Sequence, residues 1–276
     1  MMSLTETKTE RATQPVLFIP HGAGPCFFMD WKPAGIWDAM ARSLEALPHT
    51  LPARPRAILI ISAHWQTTGF RVSATEQPEL NYDFYGFPAH TYRLRYPAPG
   101  SPQLAGEIGA RLSQAGLDCQ PDPGQCFDHG VFVPLKLMFP EADIPVVQLS
   151  LQSSLDPALH LAAGRALAPL RDEGVLIIGS GMSFHNMRGY GNAQFSAPSA
   201  AFDDWLTGAI GADSARREAA LCQWTQAPAA LQCHPPGDEE HLLPLMVAAG
   251  AAGTDSGHKV FSAQVMQVRL SAFRFG

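Results

Sequence analysis

Four short, mostly apolar runs stand out along the chain, at about 16–20 (VLFIP), 57–62 (AILIIS), 144–151 (IPVVQLSL) and 175–179 (VLIIG). Runs of this length without strict polar alternation predict strands buried on both faces, as in a parallel sheet covered by helices. Apolar positions recur at helical spacing in IWDAMARSLEAL (36–47), SPQLAGEIGARLSQAG (101–116, stopped by Gly116) and DPALHLAAGRALAPLRDEG (156–174). In the last of these Asp156 followed by Pro157 is helix-start chemistry. Two further helical stretches fall at about 198–212 and 241–250, and the closing QVMQVRLSAFRF (264–275) alternates enough to predict a last strand. This order predicts an α/β/α sandwich with a mostly parallel central sheet.

No internal repeat, low-complexity tract or charged linker interrupts the pattern, so residues 15–276 are expected to form one domain. The polar MMSLTETKTERATQ (1–14) is expected to be a frayed lead-in. Periodicity fails at 77–100, QPELNYDFYGFPAHTYRLRYPAPG, where four tyrosines and two phenylalanines accompany the prolines. So long a loop is expected to be functional, and its aromatic content speaks against disorder. It predicts a wall or lid of a pocket, with Tyr82, Phe84 and Tyr85 as candidates to stack on a ring.

Composition narrows the function classes. The chain has 276 residues, 46% apolar and 16% charged, and no stretch approaches the roughly 20 apolar residues of a membrane span. The net charge of −6 and the lack of a basic run argue against nucleic acid or anionic lipid as partner. Five cysteines without a CxxC pair suggest reduced thiols, and the N-terminal segment lacks the apolar stretch of a secretory signal, so a cytoplasmic location is expected. A small molecule is the expected partner.

The histidines carry the candidate chemistry. PVLFIPHGAG ends an apolar run on His21, RAILIISAHW ends one on His64, and VLIIGSGMSFHN ends one on His185. In an open parallel sheet ligands sit beyond the carboxyl ends of the strands, so these three imidazoles can converge although far apart in sequence. Converging imidazoles suit a transition metal. His129 in FDHG precedes a short apolar helix, and His234 and His241 bracket a turn before another. His49, His160 and His258 are expected at the surface, whereas His90, in the aromatic loop, is open.

The ordered set PHGAGP, SAHW, YDFYGFP with YPAPGSP, FDHGVFVPL, GSGMSFHN and EEHLLPLMVAAGA resembles the class III extradiol ring-opening dioxygenases, in the branch named for DOPA 4,5-dioxygenase. The resemblance spans about residues 16–251. It implies one mononuclear non-haem metal, Fe(II) for activity with Zn(II) able to occupy the site, and a catechol and O2 as reactants. It implies His21, His64 and His241 as metal ligands, His185 against the metal as a fourth ligand or an acid/base, and His129 facing substrate. The chain departs from the family's usual HGSP, with Ala23-Gly24 in place of a serine-proline pair.

Glu240, beside His241, offers a carboxylate alternative for the third ligand, since two histidines and a carboxylate also leave positions open on iron. Asp128 either orients a ring nitrogen or caps the following helix. Arg93, Arg95 or Lys136 are candidates to hold a substrate carboxylate. Two other functions fit the same residues: a zinc hydrolase using the three histidines with a bound hydroxide, and a non-enzymatic interaction protein of the same fold.

Overall fold

The structure, a computed structural model, describes residues 12–276. Its strands are β1 (Val16–Pro20), β2 (Ala57–Thr67), β3 (Phe70–Ser73), β4 (Cys119–Asp122), β5 (Val146–Gln152), β6 (Val175–Gly181), β7 (Gly257–Val265) and β8 (Val268–Phe275). They form one sheet in the order β4-β3-β5-β2-β6-β1-β8-β7. The four strands at its centre are the four apolar runs, and they pair in parallel. Every residue of β1 and β6 is buried, which is why neither shows the alternation of a half-wet strand.

The helices are α1 (Asp38–Ala46), α2 (Pro102–Gln114), α3 (His129–Met138), α4 (Pro157–Leu167), α5 (Ser196–Gly211), α6 (Ser214–Cys222), α7 (Ala230–Cys233) and α8 (Leu243–Ala251). Asp156 caps α4 as expected, accepting from the Ala158 N–H with Pro157 in the first turn. β6 shows how two of the helices flank the sheet. A Cβ on Gly179 would lie 2.4 Å from the carbonyl oxygen of Pro244 in α8, whereas Ser180, the next residue, donates to the Gly130 carbonyl in α3. Consecutive strand residues face opposite ways, so α8 and α3 cover opposite faces. All nine residues of α8 are buried, as an element that is apolar all round requires.

Several expectations need correction. The closing segment is the end of a hairpin: Met266 and Gln267, both at positive φ (46° and 73°), turn β7 into β8. His258 therefore sits in β7 opposite Arg274, exposed but not in a turn. β3, β4 and β7 went unpredicted because two are four residues long and the third is a polar edge strand, where period-two patterning fades. His160 is fully buried rather than at the surface. Its Nδ1–H donates to the Asp156 carbonyl at 2.7 Å and its Nε2 accepts the Gln152 N–H at 3.1 Å, so both nitrogens are satisfied without water. Of the polar lead-in, residues 1–11 lie outside the described residues; Gln14 is buried, its amide donating to the Ala53 carbonyl at 3.0 Å.

Candidate active site

Five histidines meet at the carboxyl edge of β1, β2 and β6. His21 follows β1 directly, and its N–H continues the parallel ladder by donating to Gly181 O at 3.2 Å. His64 lies inside β2, where the pairing with β5 slips between Ile61 and Gln66. Such an irregularity re-aims side chains, and here it turns an imidazole into the crevice. His185 lies four residues beyond β6, and its N–H donates to Cys233 O at 2.9 Å. His129 opens α3 and His241 stands just ahead of α8. The His241 carbonyl accepts the Met182 N–H at 2.9 Å, and a Cβ on Gly181 would lie 2.1 Å from that oxygen. Glycine there is what allows the α8 entry to lie against β6.

The rings are close enough to act as one group. The ring centroids of His21 and His64 are 4.8 Å apart, His64 and His129 4.0 Å, His64 and His241 4.9 Å, and His21 and His241 5.3 Å. His185 stacks on His241 at 3.4 Å with 13° between the planes. His21, His129 and His241 are 1%, 6% and 4% exposed.

Hydrogen bonds on one edge of three rings determine their tautomers. Ser180 gives its hydroxyl hydrogen to Gly130 O, so its oxygen accepts from His21 Nδ1 at 3.3 Å. Glu240 Oε1 accepts from His241 Nδ1 at 2.7 Å, and Asp83 Oδ1 accepts from His129 Nδ1 at 2.9 Å. In the neutral form each of these rings carries its lone pair on Nε2. This is the arrangement by which carboxylates and hydroxyls orient metal-binding imidazoles.

Burial is the main reason that His21, His64, His185 and His241 stay neutral. It depresses His64 to about 3 and His185 to about 4, and holds His21 and His241 well below the ordinary histidine value; neighbouring imidazoles lower all four, opposed at His64 by Asp83 and at His21 by hydrogen bonding to Ser180. For His185 the opposing pull comes from Asp238. Burial also raises Glu240; at Asp83 burial pushes the same way, but the hydrogen bonds from His129 and the attraction of His129 and His64 together keep the carboxyl below its usual value.

A transition metal fits these residues. The Nε2 atoms of His21 and His64 face each other at 3.1 Å, and Nδ1 of His185 is buried without a hydrogen-bond partner. Neutral imidazoles with inward lone pairs are the donors that iron and zinc take. The ring nitrogens of His21, His64 and His129 lie within 4.8 Å of one another, and those of His185 and His241 group with Glu240.

Several residues take places other than those expected. Asp128 neither caps α3 nor meets a ring nitrogen: its carboxylate accepts from Ser62 Oγ at 2.6 Å and from the Gln148 amide, buried behind the site, and burial raises it to about 6. Phe84 is 8% exposed with its ring 6.0 Å from that of His129, and Tyr82 packs 6.0 Å from Phe84 with its hydroxyl donating to Leu94 O. Tyr85, at 91% exposure, stands out from that wall because the chain turns there into Gly86, at φ 78°. Arg93 and Arg95 line a groove of about 450 Å³ along the outside of the aromatic loop, and none of the five histidines lines it. Lys136 donates to Arg95 O at 3.0 Å. His234 is buried behind the site, its ring between Phe202 and Trp224.

Sequence reading overlooked Asp83 and Ser180. Both lie in motifs already singled out, YDFYGFP and GSGMSFHN, but the first drew notice for its aromatics and the second for its histidine.

An eight-stranded, helix-flanked sheet carries a largely buried polyhistidine cluster at its carboxyl edge, and comparison with known proteins gives the family. The family described as the catalytic LigB subunit of aromatic ring-opening dioxygenase matches residues 15–272, and the chain belongs to it. It is 43% identical over 252 residues to a 4,5-DOPA dioxygenase extradiol of Beta vulgaris, covering 90% of each chain. It is 37% identical over 289 residues to a dioxygenase of Hapsidospora irregularis, covering 97% of this chain and 87% of that one. A crystal structure of an Escherichia coli K12 protein superposes with a TM-score of 0.75 at 30% identity, over 95% of this chain and all of that one. The class III extradiol resemblance read from the motifs is thereby borne out.

Proposed function

We propose that this chain opens the ring of a catechol beside its hydroxylated carbons with dioxygen, at one ferrous iron held by His21, His64 and His241. The observation that carries the reading is the convergence of five imidazoles, three of them with Nδ1 bonded outward. A ring-opening family and relatives named as extradiol dioxygenases point the same way. When bound, iron supplies a common site for the catechol oxygens and dioxygen and the redox capacity to join them.

The protein's own residues do the rest. His185 and His129 handle protons: one takes the second catechol proton, the other returns a proton to oxygen before the ring opens. His129 suits the first role because its Nε2 lone pair is free. Phe84, backed by Tyr82, offers an apolar surface beside His129 against which a flat ring can lie. Water is kept from His21 and His241 by their burial, which also keeps these two neutral at working pH.

A second ligand set has an observation behind it. The nitrogens of His21, His64 and His129 group together in this structure, which makes His129 the alternative to His241 as third ligand. Metal affinities of His129→Ala and His241→Ala separate the two sets, since only loss of a ligand abolishes binding.

The function is tested by reconstituting the protein anaerobically with ferrous iron and adding air with DOPA, protocatechuate or an alkyl catechol. One dioxygen consumed per ring and a coloured semialdehyde are expected. Zinc should bind without supporting oxygen uptake, having no accessible redox change. A zinc form that hydrolyses an ester or amide, with no oxygen uptake by the iron form on any catechol, would replace this reading with a hydrolase.

A further inference from the structure

Asp83 lies in the aromatic loop, far in sequence from His129, yet the fold brings the two together. The loop is fastened to the segment before α3: Asn81 N–H donates to Phe127 O and Phe127 N–H to Glu79 O, both at 2.8 Å. The next residues then meet. Asp83 Oδ1 accepts two hydrogen bonds from His129, from the backbone N–H and from the ring Nδ1–H, each at 2.9 Å. Its other oxygen lies 3.8 Å from Nδ1 of His64.

The backbone bond alone would be a helix cap supplied from a distance. α3 needs one, because Asp128, in the cap position, makes no capping bond and gives its carboxylate to Ser62 and Gln148. The ring bond adds chemistry. A carboxylate can only accept, so it requires the proton on Nδ1, and the neutral ring then carries its lone pair on Nε2. An imidazole without this partner exchanges between two tautomers and can turn about its ring bond. The Asp83 side chain is 18% exposed and the His129 side chain 8%, so little water competes for the bond.

We propose that Asp83 is a positioning residue that holds His129 in the Nδ1–H form, with Nε2 turned to the substrate as proton acceptor. The inference rests on the proposed function, in which His129 moves a proton. It also ties the pocket wall to the proton-moving group, since Asp83 sits between Tyr82 and Phe84: an aromatic loop seated on substrate and an aligned His129 become one event.

The test starts with histidine-ring 15N NMR on the full chain, metal-free and zinc-loaded, with the His129 signal assigned through His129→Ala. The wild-type protein should show His129 protonated on Nδ1 in both forms. Asp83→Ala should spread the proton over both nitrogens, bind zinc as the wild type does, and lower kcat for the best catechol about 10- to 100-fold with KM changed less than about threefold. Asp83→Asn, whose carbonyl can accept both N–H groups, should restore the tautomer and most of the lost kcat.

A wild-type His129 protonated on Nε2 overturns the proposal without any variant, as does an unchanged tautomer in Asp83→Ala. Loss of zinc in Asp83→Ala overturns it too, because Asp83 would then act through His64. If Asp83→Ala does not fold, the wild-type tautomer and the kcat of Asp83→Asn decide: an Asn variant as slow as His129→Ala counts against the proposal. A wild-type iron form that oxidises no catechol sinks the proposed function instead, and the tautomer measurement still stands by itself.

Discussion

Glu240 provides the sharpest test of the ligand assignment, because it is adjacent to His241 and could be a ligand or only a ligand's support. Its Oε1 accepts from His241 Nδ1 at 2.7 Å, and the two side chains are 14% and 5% exposed. A carboxylate spent on this bond raises the basicity of the ring and prevents it from swivelling. Removing such an outer partner typically weakens metal binding about 10- to 100-fold, or about 1.4–2.7 kcal/mol at about 1.4 kcal/mol per tenfold. Glu240→Ala should fall in that range. Glu240→Gln, which still offers a neutral acceptor, should fall at its lower end. His241→Ala, which removes a donor, should lose far more.

Competition for zinc between the metal-free protein and a chromophoric chelator at fixed pH measures all three. Glu240→Ala losing metal as completely as His241→Ala would make Glu240 the ligand. An unchanged affinity in Glu240→Ala would make the hydrogen bond incidental to binding. His241→Ala keeping metal while His129→Ala loses it would establish the His21, His64 and His129 set.

Three further outcomes are expected. His129→Ala should keep the metal and lose most turnover at saturating catechol, measured with an oxygen electrode; an unchanged rate would reduce His129 to a structural part. Gly181→Ala should lower the melting temperature and weaken zinc binding together, since the added Cβ would lie 2.1 Å from the His241 carbonyl oxygen and overpacking of this kind costs about 1–3 kcal/mol; a variant with wild-type zinc affinity would refute the coupling. Burial lowers His160 from its ordinary 6.5 in the folded state, so the unfolded chain binds its proton first and stability, complete above about 6.5, is lost as pH falls below that value. Melts of the metal-free His160→Gln variant should therefore show a shallower loss of stability between about pH 6.5 and 5 than the wild type, and an equal slope would count against it.

The sequence by itself determined the centre of the sheet and the identity of the cluster. Continuous apolar runs have one comfortable place, between two layers of helices, and a polar imidazole delivered at the end of such a run is carried to the ligand-binding edge. That is why His21, His64 and His185 were legible from spacing alone, while His129 and His241 needed the order of whole motifs. Tertiary structure decided how the cluster is held. Nothing local distinguishes Asp83 from Asp128: both are acids among aromatics and histidines, and the nearer neighbour of His129 in sequence is not its partner. Asp128 is drawn away by Ser62 and Gln148, and Asp83 reaches His129 only because the loop is fastened beside Phe127. Likewise His160 reads as a surface residue on an amphipathic helix until the Gln152 N–H and the Asp156 carbonyl satisfy its two nitrogens. Hydrophobic burial follows from pattern, because it is non-directional and depends on how many apolar residues lie together. A hydrogen bond needs one donor and one acceptor within about 3 Å, and only the folded chain brings residues 46 apart in sequence to that distance.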